Sequence, residues 1–279
     1  MEPPMKLLDW IPKKKLNWEM LSRNPNAIQL LEKNPVMIHW WYLSANKNAM
    51  KLLEENPEKI ESSFLSMNEN DDAIKILEQN PEKIDWLWLS QNPNAKAVNL
   101  LQQNPEKIYW DYLSRNPNAK AIHLLQQNPE KIYWGWLSMN PSAKAIALLE
   151  QNPEKIDWEF LSANPNDHAV HLLEQSPEKI YWGWLSLNEN AKAVNLLEKS
   201  QDKIDWFNLS VNPNAVHLLE QNPEKIVWSN LSTNPSIFEI DYPYMAKQRN
   251  ATILQQLMEV TWHPERPFTQ WYLNEMDEF

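Results

Sequence analysis

The side chains best able to do chemistry in this chain come in rows. His123, His171 and His217 share one position of an internal repeat, two units apart, and could suggest a row of ligands. Stacked helices lie about 10 Å apart, so imidazoles separated by two units cannot meet on one metal ion. Asn99, Ala147 and Asn195 fill the same position elsewhere, as expected of a solvated site. A serine stands two residues before an asparagine in every unit, for example Ser90 and Ser114. A residue repeated in each unit reads as a hydrogen-bonding or turn element rather than a nucleophile. There is no Cys, no Gly-rich phosphate loop and no His-Glu-x-x-His pattern. The expectation is a chain that is not an enzyme, with no catalytic residue, no metal site and no cofactor.

The remaining signal is aromatic. Trp18, Trp40, Trp86, Trp110, Trp134, Trp158, Trp182, Trp206 and Trp228 form a structural ladder beside a recurrent Leu, the pattern of side chains buried between stacked units. Two residues further on runs a second row, Tyr42, Phe64, Trp88, Tyr112, Trp136, Phe160 and Trp184. Its persistent aromatic character argues for packing against a neighbour, with contact to a ligand as the alternative. The residue before the ladder Trp varies, with His39, Asp85, Tyr109, Tyr133, Asp157 and Tyr181, and variability within a repeat points to solvent and to specificity. Both glycines, Gly135 and Gly183, fall within Tyr-Trp-Gly-Trp-Leu-Ser. On a helix Tyr133 and Trp136 lie side by side, as do Tyr181 and Trp184. One reading is that Gly relieves crowding or reflects duplication of a two-unit block. The other is that Tyr109, Tyr112, Tyr133, Gly135, Trp136, Tyr181, Gly183 and Trp184 line an aromatic groove for a partner chain, because binding hot spots use aromatic anchors.

These rows must be positioned by the repeat itself. Asn-Pro-Glu-Lys-Ile begins at Asn56, Asn80, Asn104, Asn128, Asn152 and Asn222, with variants at Asn34, Ser176 and Ser200. A second Asn-Pro punctuation, as at Asn92 and Asn116, divides each unit into two short halves. Asn before Pro is a helix-start signal, Asn as N-cap and Pro at the first helical position. In the second half Ala97, Val98, Leu100 and Leu101 fall within an arc of about 160° at helical pitch, an amphipathic helix. The 22-residue units omit two residues before that arc, since Ala27, Ile28, Leu30 and Leu31 reproduce it. In the first half Ile84 and Trp86 lie about 200° apart on one helix, so either a break separates them or the helix is buried on two sides. Units this short cannot bury their apolar faces alone and must stack.

The fold class expected is all-α, an elongated α-solenoid of about nine to ten two-helix repeats over 12–234. An N-terminal cap is expected at 1–11, where Pro3 and Pro4 and the following Lys13-Lys14-Lys15 run depart from the pattern. A C-terminal capping segment is expected at 235–279, with a helix whose Met245, Ile253, Leu254 and Leu257 face the last repeat and which ends before His263-Pro264. Only 2 Gly stand against 21 Pro and 16 Trp, which disfavours a compact α/β enzyme needing many tight turns. The formal charge of −11 opposes nucleic acid and anionic membrane as partners. No run is long and apolar enough for a signal peptide or a membrane span, and intracellular localisation is expected.

The unit Trp-x-x-Leu-Ser-x-Asn-Pro-Asn-Ala-x-x-Leu-Leu-Glu-x-Asn-Pro-Glu-Lys-Ile, followed by Ile-Phe-Glu-Ile-Asp-Tyr and Trp-His-Pro-x-Arg, resembles the short Asn-Pro/Trp repeat proteins of giant nucleocytoplasmic DNA viruses. The resemblance covers nearly the whole chain. It departs at Ser62, where Trp is expected, and at Gln201, which replaces Pro. It implies a viral origin, with the infected host cytoplasm or the virion as location, and adds little chemistry, since that family has no established activity, cofactor or partner. The function expected is a non-enzymatic scaffold that binds a protein or peptide partner through an extended surface. A structural virion component and a carbohydrate-binding aromatic surface are the alternatives. The oligomeric state is left open.

Overall fold

A computed structural model describes residues 3–261 and divides the chain into two units, residues 7–238 and the terminal segments 1–6 with 239–279. The larger unit is an all-α solenoid of short two-helix repeats.

One repeat shows why these residues form these elements. Pro81–Lys83 makes a single 3-10 turn, since Pro pre-sets φ and has no donor to lose. Ile84 is then extended (φ −68°, ψ 122°), and Asp85 caps the helix Trp86–Gln91 by accepting from the Leu87 and Trp88 N–H groups. The break after the Pro-Glu-Lys turn is therefore real, and it lets Ile84 and Leu89 both be buried despite their angular mismatch. Asn94 caps the second helix, Ala95–Gln103, which buries Ala97, Val98 and Leu101. In a 22-residue unit the missing two residues shorten this element to the 3-10 turn Pro25–Ala27 and the helix Ile28–Glu32, and Leu31 remains fully buried. Ser62 and Gln201 are absorbed, because Ser62–Leu65 and Gln201–Lys203 keep the local conformation of the other units.

One expected cap is corrected. Asn80 makes no side-chain N-cap bond. Its Nδ2 donates to the Ile76 carbonyl, so it closes the preceding helix instead of opening the next turn.

Units are held together by polar side chains at the centre of each junction. Ser90 Oγ donates to the Trp86 carbonyl (2.7 Å) and accepts from the Tyr109 N–H of the next unit (3.0 Å). Asn116 Nδ2 donates to the Ser90 and Asn92 carbonyls of the previous unit (2.9 and 2.8 Å), while its Oδ1 accepts from the Asn118 N–H. All ten such asparagines, Asn24, Asn46, Asn68, Asn92, Asn116, Asn140, Asn164, Asn188, Asn212 and Asn234, are at most 2% exposed. Burial of an amide is tolerable only when its hydrogen bonds are made, and here they join each unit to the one before.

The same junction joins the last unit to the first. Asn24 Nδ2 donates to the Ser232 and Asn234 carbonyls (3.1 and 2.7 Å), and Ser232 Oγ accepts from the Asn17 N–H (2.8 Å). Asn26 Nδ2 donates to the Pro235 carbonyl, as Asn118 does to Pro93. The solenoid is thus not elongated: residues 7–238 form a closed ring of ten units, turning about 36° per unit if the steps are equal. The Leu8 N–H donates to the Ile237 carbonyl at the same seam.

Closure also revises the expected ends. Lys13–Lys15 is not a departure from the repeat. It forms the same 3-10 turn as Pro-Glu-Lys, and Lys15 lies over the Trp228 ring (4.6 Å) as Lys131 lies over Trp110 (4.5 Å). The strands β1 (Met5–Leu7) and β2 (Phe238–Ile240), each running from an end of the larger unit into the smaller one, form a two-stranded sheet, with Lys6 paired to Glu239 at 2.9 Å and the Asp241 N–H on the Pro4 carbonyl. The helix Tyr242–Thr261 follows, capped by the Asp241 carboxylate on the Tyr244 N–H. Met245, Ile253, Leu254 and Leu257 were expected to face the last repeat. They are 41%, 46%, 60% and 55% exposed. The His263-Pro264 stop and the Trp-His-Pro-x-Arg motif lie outside the described residues.

Candidate functional site

The variable residue before each ladder Trp is the N-cap of the first helix, in extended conformation, so its side chain leaves the helical stack. Tyr109, Tyr133 and Tyr181 are 47%, 49% and 50% exposed there. Tyr133 and Tyr181 open on one shallow groove of about 650 Å³ that also contains Gly135, Asp157, Trp158 and Glu159. Tyr109 lies on a second such groove with Asp85 and Trp86.

Tyr112, Trp136 and Trp184 go elsewhere. With Trp88 and Phe160 they make a continuous chain of ring contacts across five units, Trp88–Tyr112–Trp136–Phe160–Trp184, with centroids 5.2–6.2 Å apart. Trp184 Nε1 donates to the Glu159 carboxylate (2.7 Å). The second aromatic row therefore packs between neighbouring units, and the expected groove separates into two environments. The two glycines separate as well. A Cβ on Gly135 would stand 3.0 Å from Tyr133 Cε1 and 3.4 Å from the Phe160 ring, so Gly135 relieves crowding. A Cβ on Gly183 would meet nothing closer than 3.8 Å, and crowding does not explain it.

The ladder tryptophans are half-buried rather than sealed. The lysine of the following Pro-Glu-Lys turn lies over the ring, as with Lys59 on Trp40, Lys179 on Trp158 and Lys225 on Trp206, at 4.1–4.5 Å. Each such contact contributes on the order of 0.5–1 kcal/mol when exposed.

A second candidate site was not anticipated. Between the buried Ser and Asn of every unit stands one variable residue: Arg23, Ala45, Met67, Gln91, Arg115, Met139, Ala163, Leu187, Val211 and Thr233. Eight of these, all but Ala45 and Thr233, line one cavity of about 620 Å³ at the centre of the ring. Arg115 is accessible to solvent within it and lies over the Trp136 ring at 5.2 Å. The surrounding walls, and then the Arg23 charge, lower its pKa from the ordinary guanidinium value. Glu189 lines the same cavity, and loss of water raises its carboxyl above the usual range. The signal in the sequence was a single position varying between charged and apolar between two invariant residues, but without closure nothing marks that position as convergent.

The histidines have local partners: His123 contacts Gln127 (3.1 Å), His171 contacts Gln175 (3.0 Å) and His217 contacts Glu198 (2.8 Å). Among the described residues no group of three or more His, Asp or Glu could hold a metal ion, and no helix is long and apolar enough to cross a membrane. Exposed ion pairs also tie second helices together. Asp71 is held below the usual carboxylate range by hydrogen bonds from Lys96 and Asn94, and Asp167 by Asn190 and the Lys192 charge.

Comparison with protein families, curated proteins and solved structures gives no match to this chain.

Proposed function

We propose that the chain is a non-enzymatic repeat scaffold that binds a protein or peptide partner on the face of the ring carrying Tyr133 and Tyr181. The observation that carries this reading is that two tyrosines two units apart, each about half exposed, share one groove with Gly135, Asp157 and Glu159. Half-exposed tyrosines held by a rigid frame lose little side-chain entropy on binding and offer both an apolar ring and a hydroxyl. The neighbouring carboxylates favour a partner segment with a basic residue beside an apolar one. The viral origin belongs to this proposal and rests on the repeat motif alone.

The test is affinity capture from expressing cells with the wild-type chain and the Tyr133→Ala/Tyr181→Ala variant, alongside melting of both proteins. A partner held by the wild type and lost by a variant with unchanged melting supports the reading. Capture that survives the double substitution places the surface elsewhere, and unfolding of the variant makes the tyrosines structural. Retention on immobilised polysaccharide, or stoichiometric recovery in purified particles, would favour the sugar-binding or virion reading instead.

A further inference from the structure

We propose that the central cavity of the ring is a binding site for a small organic oxyanion, a carboxylate or phosphate ester carrying an apolar body. Its volume of about 620 Å³ lies in the range of small-molecule sites. It shares no lining residue with the Tyr133 groove, so the two readings stand or fall separately.

The charge arrangement is the main argument. Arg23 and Arg115 come from the first and fifth units, and neither makes a hydrogen bond or an ion pair with any described residue. Loss of water to the surrounding walls, and then the Arg23 charge, lowers the pKa of Arg115, so the two charges act on each other within the ring. Both side chains are exposed to the water of the cavity, so their donors are open to an incoming anion, and the repulsion of two like charges facing one space is relieved when it binds. The Trp136 ring lies 5.2 Å from Arg115 Cζ, a contact that uses none of the guanidinium donors and leaves them free for an oxyanion.

The rest of the lining sets the size and character of the ligand. Glu69 is engaged by Lys47 at 3.9 Å, so these two charges cancel. Two arginines against Glu189 leave one positive charge in excess, which matches a single oxyanion group and not a polyanion. The arc Met139, Ala163, Leu187 and Val211 is apolar and faces the same space, which calls for a hydrocarbon or aromatic body on the anion.

The experiment titrates the full chain with 1-naphthoate and 1-naphthyl phosphate, with 1-naphthol and inorganic phosphate as controls, by calorimetry at about 150 mM salt, where distant surface charges are screened. One of the two naphthyl oxyanions is expected to bind at one site per chain, at least about tenfold more tightly than either control, and the comparison of the two identifies the headgroup. Arg23→Gln/Arg115→Gln is expected to lose about tenfold or more in affinity with unchanged or raised melting temperature, and Arg115→Lys to lose less. No saturable binding of either naphthyl oxyanion up to about 1 mM would overturn the proposal. So would naphthol binding as tightly as the better oxyanion, or equal affinity in the double variant.

Discussion

Replacing Asn24 by Ala tests ring closure directly, because Asn24 belongs to the first unit and would face water if the solenoid were open. In the ring it is fully buried and makes three hydrogen bonds: Nδ2 to the Ser232 carbonyl at 3.1 Å, Nδ2 to the Asn234 carbonyl at 2.7 Å, and Oδ1 from the Asn26 N–H at 3.0 Å. Alanine removes one partner from each and leaves two carbonyls and one N–H without it, at about 1 kcal/mol or more apiece. The expected loss is about 3 kcal/mol. Asn140 supplies the internal standard, since its bonds to Ser114, Asn116 and Ser142 have the same pattern at 2.9, 2.9 and 3.0 Å. Urea unfolding followed by far-UV circular dichroism and Trp fluorescence should therefore give Asn24→Ala and Asn140→Ala equal losses within about 0.5 kcal/mol, the usual scatter of a surface substitution. If Asn140→Ala loses about 3 kcal/mol while Asn24→Ala matches the wild type, the first and last units do not meet in solution and the ring is refuted.

The glycines give an asymmetric pair: Gly183→Ala should raise stability by about 0.5–1 kcal/mol through helix propensity, whereas Gly135→Ala should gain nothing because its Cβ meets Tyr133 at 3.0 Å. Equal melting shifts for the two would contradict this. Deleting residues 242–279 should leave the melting temperature of the ring essentially unchanged, since the first unit already covers the last; aggregation or a large drop on heating would show that the tail covers apolar surface after all. Glu189 has a folded pKa raised above its unfolded value, so the folded chain binds that proton more tightly and stability contributed by Glu189 rises as pH falls through the raised pKa. Glu189→Gln should accordingly be more stable than wild type at pH 7, with the advantage vanishing by pH of about 3, below the ordinary Glu range; a constant advantage between these two pH values would disprove the assignment.

The repeat, its two halves and the apolar arc of Ala97, Val98 and Leu101 were legible because helical pitch and Asn-Pro punctuation are local properties. The buried Ser and Asn were recognisable as hydrogen-bonding elements, but their reach was not. Each bonds across a junction, and sequence periodicity does not reveal which carbonyls a side chain meets. Closure was illegible for a related reason. Curvature accumulates from a small rotation at every junction, and no single unit encodes the total. Without closure, Lys13-Lys14-Lys15 reads as a departure from the repeat, and nothing in the sequence brings Arg23 and Arg115 to one space. The Trp ladder was visible, while its lysine lids required knowing that the next turn folds back over the ring.

A chain of stacked repeats with two ends comes apart from those ends, one unit at a time, because the terminal unit has only one neighbour to lose. Asn24 on Ser232 and Asn234 takes that route away. Any unit leaving the ring must break two junctions before it gains the freedom of an unfolded segment, so fraying is suppressed and the first step of unfolding is the steepest. Resistance to slow denaturation and to proteolysis would then exceed what the equilibrium stability of a single unit suggests. The reverse also holds during folding: every junction but one joins neighbours in sequence, and the last pairs residues 208 and 210 positions apart, so closing the circle is the step that loop entropy makes late.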